Sequence, residues 1–253
     1  MPCSCSADRL DIFDEKAARR ALRRYLDDGL GGSDALQIAA WAEEGGLDGR
    51  TVVEVGGGIG QIQADLLRRG AAAGRIVELV SEYEGPAGEL ARGAGIADRS
   101  SFALADLLEE PDSVEPADIV VLRRVVCCTP DGPELLAAAA GKARRTLLAS
   151  YPRDRLLVRL VFGLENLGFA VFRKRFRSFV HRPADLERAV MERGFARSRV
   201  ARGLVWETAQ FVPNDAVAGA GPISYEILTK PSGSPDGDYL GSRRCVSSPS
   251  SAC

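Results

Sequence analysis

The feature that most constrains how this 253-residue chain can fold is the run Thr51-Val52-Val53-Glu54-Val55, followed at once by Gly56-Gly57-Gly58-Ile59-Gly60 and then by QIQADLLRRG, residues 61–70. The β-branched run reads as a strand, the glycines as a tight turn, and the amphipathic stretch that stops at Gly70 as a helix. The same rhythm returns in RIVELV (75–80), SFALA (101–105), DIVVL (118–122) and RTLLAS (145–150), each followed or preceded by helix-compatible segments such as PELLAAAAGKARR. Strands apolar on both faces and alternating with helices predict a mostly parallel sheet covered on both sides.

Upstream, Ile12, Phe13, Ala17, Ala21 and Tyr25, and then Leu36, Ala39 and Ala40, fall at helical spacing on either side of Gly29, Gly31 and Gly32, which predicts two N-terminal helices. After Tyr151 the alternation breaks. LLVRLVFGLENLGFAVF (156–172) is a long apolar segment ending in Arg173, Lys174, Arg175 and Arg177, and it reads as an inserted helical cap at about 151–182. Its stripe of Leu156, Leu157, Leu160, Val161, Leu164, Leu167 and Gly168 is the face expected to pack on the core; the trailing cations allow instead an anionic membrane surface or an acidic substrate. PADLERAVMERG gives one more helix, and ARSRVARG with LVWETAQFV a final antiparallel pair. The expected organisation is an N-terminal helical cap (1–46), an α/β Rossmann-like domain (47–230) with a seven-stranded, mostly parallel sheet ending in an antiparallel hairpin, and a disordered Ser, Gly and Pro-rich tail (231–253).

Charge argues against nucleic acid as a partner, because 33 basic and 35 acidic side chains nearly cancel. No run of eighteen residues stays free of charge, so no stable membrane insertion is expected, and the start carries no signal-like basic and apolar regions, which points to a cytoplasmic protein. The six cysteines then read as thiols, with only the pairings Cys3/Cys5 and Cys127/Cys128 unusual.

The spacing of the glycine loop selects among ligands. A dinucleotide turn requires G-x-G-x-x-G, but Gln61 or Gln63 stands where its third glycine should be, so a nicotinamide cofactor fails on its own motif. With Glu54, Gly56, Gly58 and Gly60 in register, the loop resembles the E/D-x-G-x-G-x-G signature of class I S-adenosyl-L-methionine (SAM) dependent methyltransferases. The wider chain, through segments such as VVEVGGGIGQIQADLLRRGA, ADIVVLRRVVCCTPD and SFVHRP, is similar to bacterial methyltransferases labelled as similar to magnesium-protoporphyrin O-methyltransferase. That resemblance implies the class I methyltransferase fold, SAM as cofactor and a small-molecule acceptor, methylated at oxygen or sulfur. It further implies that Glu54, Gly56, Gly57, Gly58 and Gly60 approach the cofactor, that Glu78 with Leu79 holds the ribose (Glu82 being the fallback), that Asp106 with Leu107 meets the adenine, and that Arg123 follows strand four at the cofactor. Thr129, Arg182 and Arg123 depart from the group's pattern on the acceptor side.

The acceptor pocket should be lined by Tyr25, Arg124, Cys127, Cys128 and Tyr151. His181, the single histidine, could act as a general base or be a structural hydrogen-bonding residue. For Cys127 and Cys128 either buried packing or a soft-ion site shared with Cys3 and Cys5 is open, although CxC plus CC is no zinc-finger spacing and no metal is expected. The alternative to an enzyme is a SAM-binding or metal-thiolate sensing protein without methyl transfer.

Overall fold

The computed structural model describes residues 9–217 and the backbone of 224–227. Two helices, α1 (Glu15–Asp28) and α2 (Ser33–Glu44), precede the sheet. The alternating part follows as β1 (Thr51–Val55), α3 (Gln61–Arg68), β2 (Ala73–Glu78), α4 (Glu84–Gly93), β3 (Ser100–Leu104), β4 (Ala117–Arg123), α5 (Gly132–Ala140) and β5 (Ala143–Pro152). Then come α6 (Leu156–Val171), α7 (Pro183–Met191), β6 (Phe195–Arg202), β7 (Trp206–Pro213), the short α8 (Asn214–Val217) and β8 (Ser224–Ile227). The region from 231, expected to be a disordered tail, lies outside the described residues.

One sheet runs in the order β3-β2-β1-β4-β5-β7-β6-β8. β1 to β5 are parallel, β7 enters antiparallel between β5 and β6, and β8 adds parallel to β6 beyond the seven expected strands. Alternate residues of each central strand feed two apolar layers, as the two-residue strand period requires. Val52, Ile119, Val121 and Leu148 face α2 and α3, meeting Ile38, Trp41, Ile62 and Leu66, whereas Val53, Val55, Val120 and Leu122 face α5 and α7, meeting Leu136, Leu186 and Val190. From β1 the chain winds outward to β2 and β3, and then returns to place β4 on the other side of β1. The crevice where the winding reverses, at the carboxyl ends of β1 and β4, is where an open α/β sheet takes a ligand.

α6 corrects one expectation. The stripe assigned to core packing is turned outward, with Leu156 85% and Leu164 60% exposed, and the opposite face docks through Val158 and Phe162. The cause is aromatic docking. Phe162 meets Trp206 edge-on at 6.2 Å, and Phe169 meets Phe176 at 5.3 Å, which in turn contacts Phe13. Beyond the helix the chain is sewn to the N-terminal segment: Lys174 Nζ donates to the Asp11 carbonyl at 3.1 Å, and the amides of Arg175 and Phe176 donate to the Asp11 carboxylate.

Candidate functional site

At the reversal of the winding lies a cavity of about 270 Å³. The β1 end and glycine loop supply Glu54 and Gly56 to Ile59; the β2 end, Glu78 to Val80, with Tyr83 just beyond it; the β3 end, Ala105 to Leu108. The β4 end supplies Arg123 to Val125, Cys128 and Thr129, and Leu10, Phe13 and Ala21 close it from the N-terminal side.

Backbone shape explains the loop. Gly58 sits at φ +57°, and a Cβ there would stand 3.2 Å from the Tyr83 ring, so both conformation and space favour glycine. Gly60 is left-handed as well, at φ +74°, but its missing Cβ would meet Ile76 of β2 at 2.4 Å, and it does not line the cavity. Its position is set by the packing of α3 on the sheet, which corrects its placement among the ligand-facing glycines.

Three acids stand at three successive strand ends. Glu54 is 2% exposed and accepts the Gln63 amide at 2.9 Å, so its carboxylate caps the N-terminus of α3. Burial raises its carboxyl to about 7 against the pull of the Gln63 and Ile62 amides and of Arg123. Glu78 accepts the amides of Gly58 and Leu79, each at 2.8 Å, and thereby ties β2 to the glycine loop; burial raises its carboxyl more than those amides lower it. Asp106 accepts the Leu108 amide at 2.9 Å. Between them, Tyr83 is pushed up to about 12 by burial and by the charge of Glu78. The fallback acid, Glu82, is exposed and lies off the cavity lining.

The β4 end is cationic and clamped. Arg123 Nε donates to Asp34 at 3.0 Å, and Arg124 donates to both Asp34 oxygens at 2.8 and 2.7 Å while its guanidinium lies 4.6 Å above the Trp206 ring. Arg124 does this at φ +56°, an uncommon backbone for a side chain with a Cβ. Burial pushes the Asp34 carboxyl up, but the two guanidiniums together outweigh it and hold it below the usual carboxylate range. Asp34, the first-turn acid of α2, had not been singled out; as one acid in SDALQ it carried no signal of partners 89 and 90 residues away.

Several expected pocket residues stand elsewhere. Tyr151 is 1% exposed inside the α5/α7 layer, and Tyr25 is buried in the α2/α3 layer, so neither lines the cavity. The cysteines divide. Cys128 lines the cavity, while Cys127 packs with Val158 and Phe162 under α6; both Sγ atoms point to the Arg124 carbonyl, at 3.5 and 3.4 Å. Among the described residues no three His, Cys, Asp or Glu side chains group as metal ligands, and Cys3 and Cys5 lie outside those residues. His181 is off the cavity: Nε2 stands 3.0 Å from both the Val126 and the Thr129 carbonyl, and the ring fills the space beside Gly132, whose Cβ would stand 2.4 Å away. An Nε2 between two carbonyls is a donor. The geometry makes His181 a pin for the loop after β4 in place of a base for an acceptor in the cavity.

No family model matches the chain, and no curated protein matches it. Solved structures do. Magnesium protoporphyrin IX methyltransferase from Synechocystis, with bound SAH (S-adenosylhomocysteine), is similar at 21% identity and TM-score 0.62 over 80% of this chain and 97% of that one. An O-methyltransferase family protein from Burkholderia thailandensis is similar at 19% identity and TM-score 0.61, over 82% of this chain and 63% of that one. An O-methyltransferase family 2 protein from Planctomyces limnophilus, in complex with apigenin, is similar at 18% identity and TM-score 0.57, over 79% and 61% of the two chains. These likenesses establish the fold, that of the class I methyltransferases.

Proposed function

We propose that the chain is a SAM-dependent methyltransferase acting on a small-molecule acceptor at oxygen or sulfur. One observation carries the reading: Glu54, Glu78 and Asp106, from three adjacent strand ends, meet in one cavity beneath the glycine loop. Such a wall suits a ligand with a cationic ammonium and sulfonium, a ribose diol and an exocyclic amine. It does not suit a pyrophosphate, which would need the α3 N-terminus that Glu54 already caps. Glu54 would face the ammonium. Glu78, with lone pairs left after its two amide contacts, would accept the ribose hydroxyls, and Asp106 with Leu107 would hold the adenine. Gly56, Gly57 and Gly58 would let the backbone approach, as the SAM- and SAH-bound magnesium protoporphyrin methyltransferases of the same fold support.

Bound there, the cofactor supplies an electrophilic methyl group. The chain supplies position, which alone lowers a barrier by about 7–11 kcal/mol when two reactants are held in line. Arg123 and Arg124 lie at the acceptor end; a cationic wall favours the deprotonated form of a hydroxyl, carboxylic acid or thiol and disfavours an ammonium, hence oxygen or sulfur. Calorimetry with SAM, SAH and NAD, followed by an acceptor screen reading SAH formation, tests the reading. SAM and SAH should bind and NAD should not; NAD binding without SAM binding would overturn it.

A further inference from the structure

The outward face of α6 is apolar along its whole length. Leu157, Leu160, Leu164, Leu167, Val171 and Phe172 are each between 58% and 79% exposed, on a helix whose other face is already docked through Val158 and Phe162. Monomeric proteins seldom leave so continuous an apolar surface to water unless something covers it. We propose that α6 is an interfacial helix that seats the protein on an anionic lipid surface, lying in the plane of the headgroups.

Charge selects the occupant. Arg155 and Arg159 stand at the start of the helix and Arg173, Lys174, Arg175 and Arg177 just past its end, and among the described residues Arg155, Arg173, Arg175 and Arg177 form no ion pair. The one acid within the helix, Glu165, is exposed but its carboxylate is engaged, accepting the Ser178 hydroxyl at 3.0 Å. An apolar strip bracketed by cations matches an anionic bilayer, whose acyl boundary takes the leucines while its headgroups take the arginines. A second copy of the chain fits poorly, since pairing two α6 helices in either direction brings cation against cation. Residues 228–253 are a poor cover too, because their large apolar side chains are few: Leu228, Tyr239, Leu240 and Val246. No helix among the described residues is long and apolar enough to cross a membrane, so the contact is with one leaflet. α6 also lies one layer from the cavity: Phe162 touches Trp206, and Trp206 lies beneath Arg124 of the cavity wall. A lipid-seated α6 would therefore hold the cavity close to amphiphilic acceptors.

The test is vesicle flotation of the full-length protein with phosphatidylcholine alone and with phosphatidylcholine containing one-third phosphatidylglycerol. The variants are L160E/L164E and R155Q/R173Q/R175Q, all at exposed positions, with thermal unfolding to verify that each folds. The unmodified protein should float with the anionic vesicles at least tenfold more than with the neutral ones. L160E/L164E should remain in the bottom fraction with both. R155Q/R173Q/R175Q should lose most of the preference for anionic lipid, and the remaining preference should fall as salt is raised. Failure of the unmodified protein to float, or equal flotation of folded L160E/L164E, would overturn the proposal. So would a dimer, seen by light scattering, that L160E/L164E converts to monomer without any vesicle binding. SAM calorimetry on the same variants keeps the two readings apart, because cofactor affinity should be unchanged in all of them.

Discussion

Glu54 ties cofactor binding to pH in a way that can be worked out from its surroundings. Its carboxyl is raised from 4.5 to about 7, chiefly by burial. A group with a raised native pKa contributes stability that is present below its unfolded pKa and lost as pH rises through the native one. Between pH 4.5 and 8 the unmodified protein should therefore lose about 3 kcal/mol relative to Glu54→Gln, since each tenfold change in proton affinity between the folded and unfolded chain is worth about 1.4 kcal/mol. The glutamine keeps an oxygen to accept the Gln63 amide, so the comparison isolates the charge. Ligand binding should run the other way. If the ammonium is held by ionised Glu54, SAM affinity rises with the ionised fraction, and a native pKa near 7 makes binding at pH 5.5 about 15-fold weaker than at pH 7. Calorimetry with SAH over pH 5.5–7.0, below the titration of the ligand's own amine, reads this directly. Glu54→Gln should bind more weakly at pH 7 and show a flat profile. A flat profile in the unmodified protein, or the same slope in Glu54→Gln, would refute the placement of the ammonium at Glu54.

Four further outcomes are expected. Gly58→Val should abolish measurable SAM binding and lower stability by about 1–2 kcal/mol, the cost of a left-handed residue with a Cβ; unchanged calorimetry would sink the loop assignment. Glu78→Ala should lose about 1.5–3 kcal/mol of cofactor affinity while Glu82→Ala loses none, and the reverse pattern would move the ribose site. Asp34→Asn should cost about 3 kcal/mol in denaturant unfolding, because it strands two guanidiniums, the low end of the range since Arg124 is 39% exposed. That advantage of the native carboxylate, being a lowered-pKa effect, is present above about pH 4 and should vanish as pH falls through the lower native value, so a constant difference down to pH 2 would contradict it. A thiol probe should label Cys128 more slowly when SAH is bound and leave Cys127 insensitive, and mass spectrometry showing the two protected alike would contradict their opposite placements.

Much of the fold was legible because short, nearly continuous apolar runs alternate with helix-compatible stretches from Thr51 to Ser150, and because a glycine turn between a β-branched run and an amphipathic helix has few other realisations. Glu54, Glu78 and Asp106 came from the resemblance to the methyltransferase signature, which expects acids at successive strand ends, and all three line the cavity. What failed depended on contacts distant in sequence. α6 is apolar around most of its circumference, so periodicity could not choose its docked face; Phe162 and Trp206 chose it. Of the adjacent cysteines only Cys128 lines the cavity, and the sequence carries no mark of which one does. His181 was ambiguous as a lone histidine, because its partners are backbone carbonyls, which have no residue type to read. Leu10, Phe13 and Tyr83 in the cavity wall were passed over, being indistinguishable by type from core residues.

The pin formed by His181 has an evolutionary consequence. Its imidazole occupies the volume that any side chain at position 132 would need, with Nε2 2.4 Å from where a Cβ would be. Neither position is free to vary alone: a relative that acquires alanine at 132 must give up the ring at 181, and one that loses the ring leaves two carbonyls to find new donors. The two sites, 49 residues apart, should covary as Gly with His or as a larger residue with a smaller one. Lineages that break the pair should be those in which the loop after β4 has taken a different course, and with it a different acceptor.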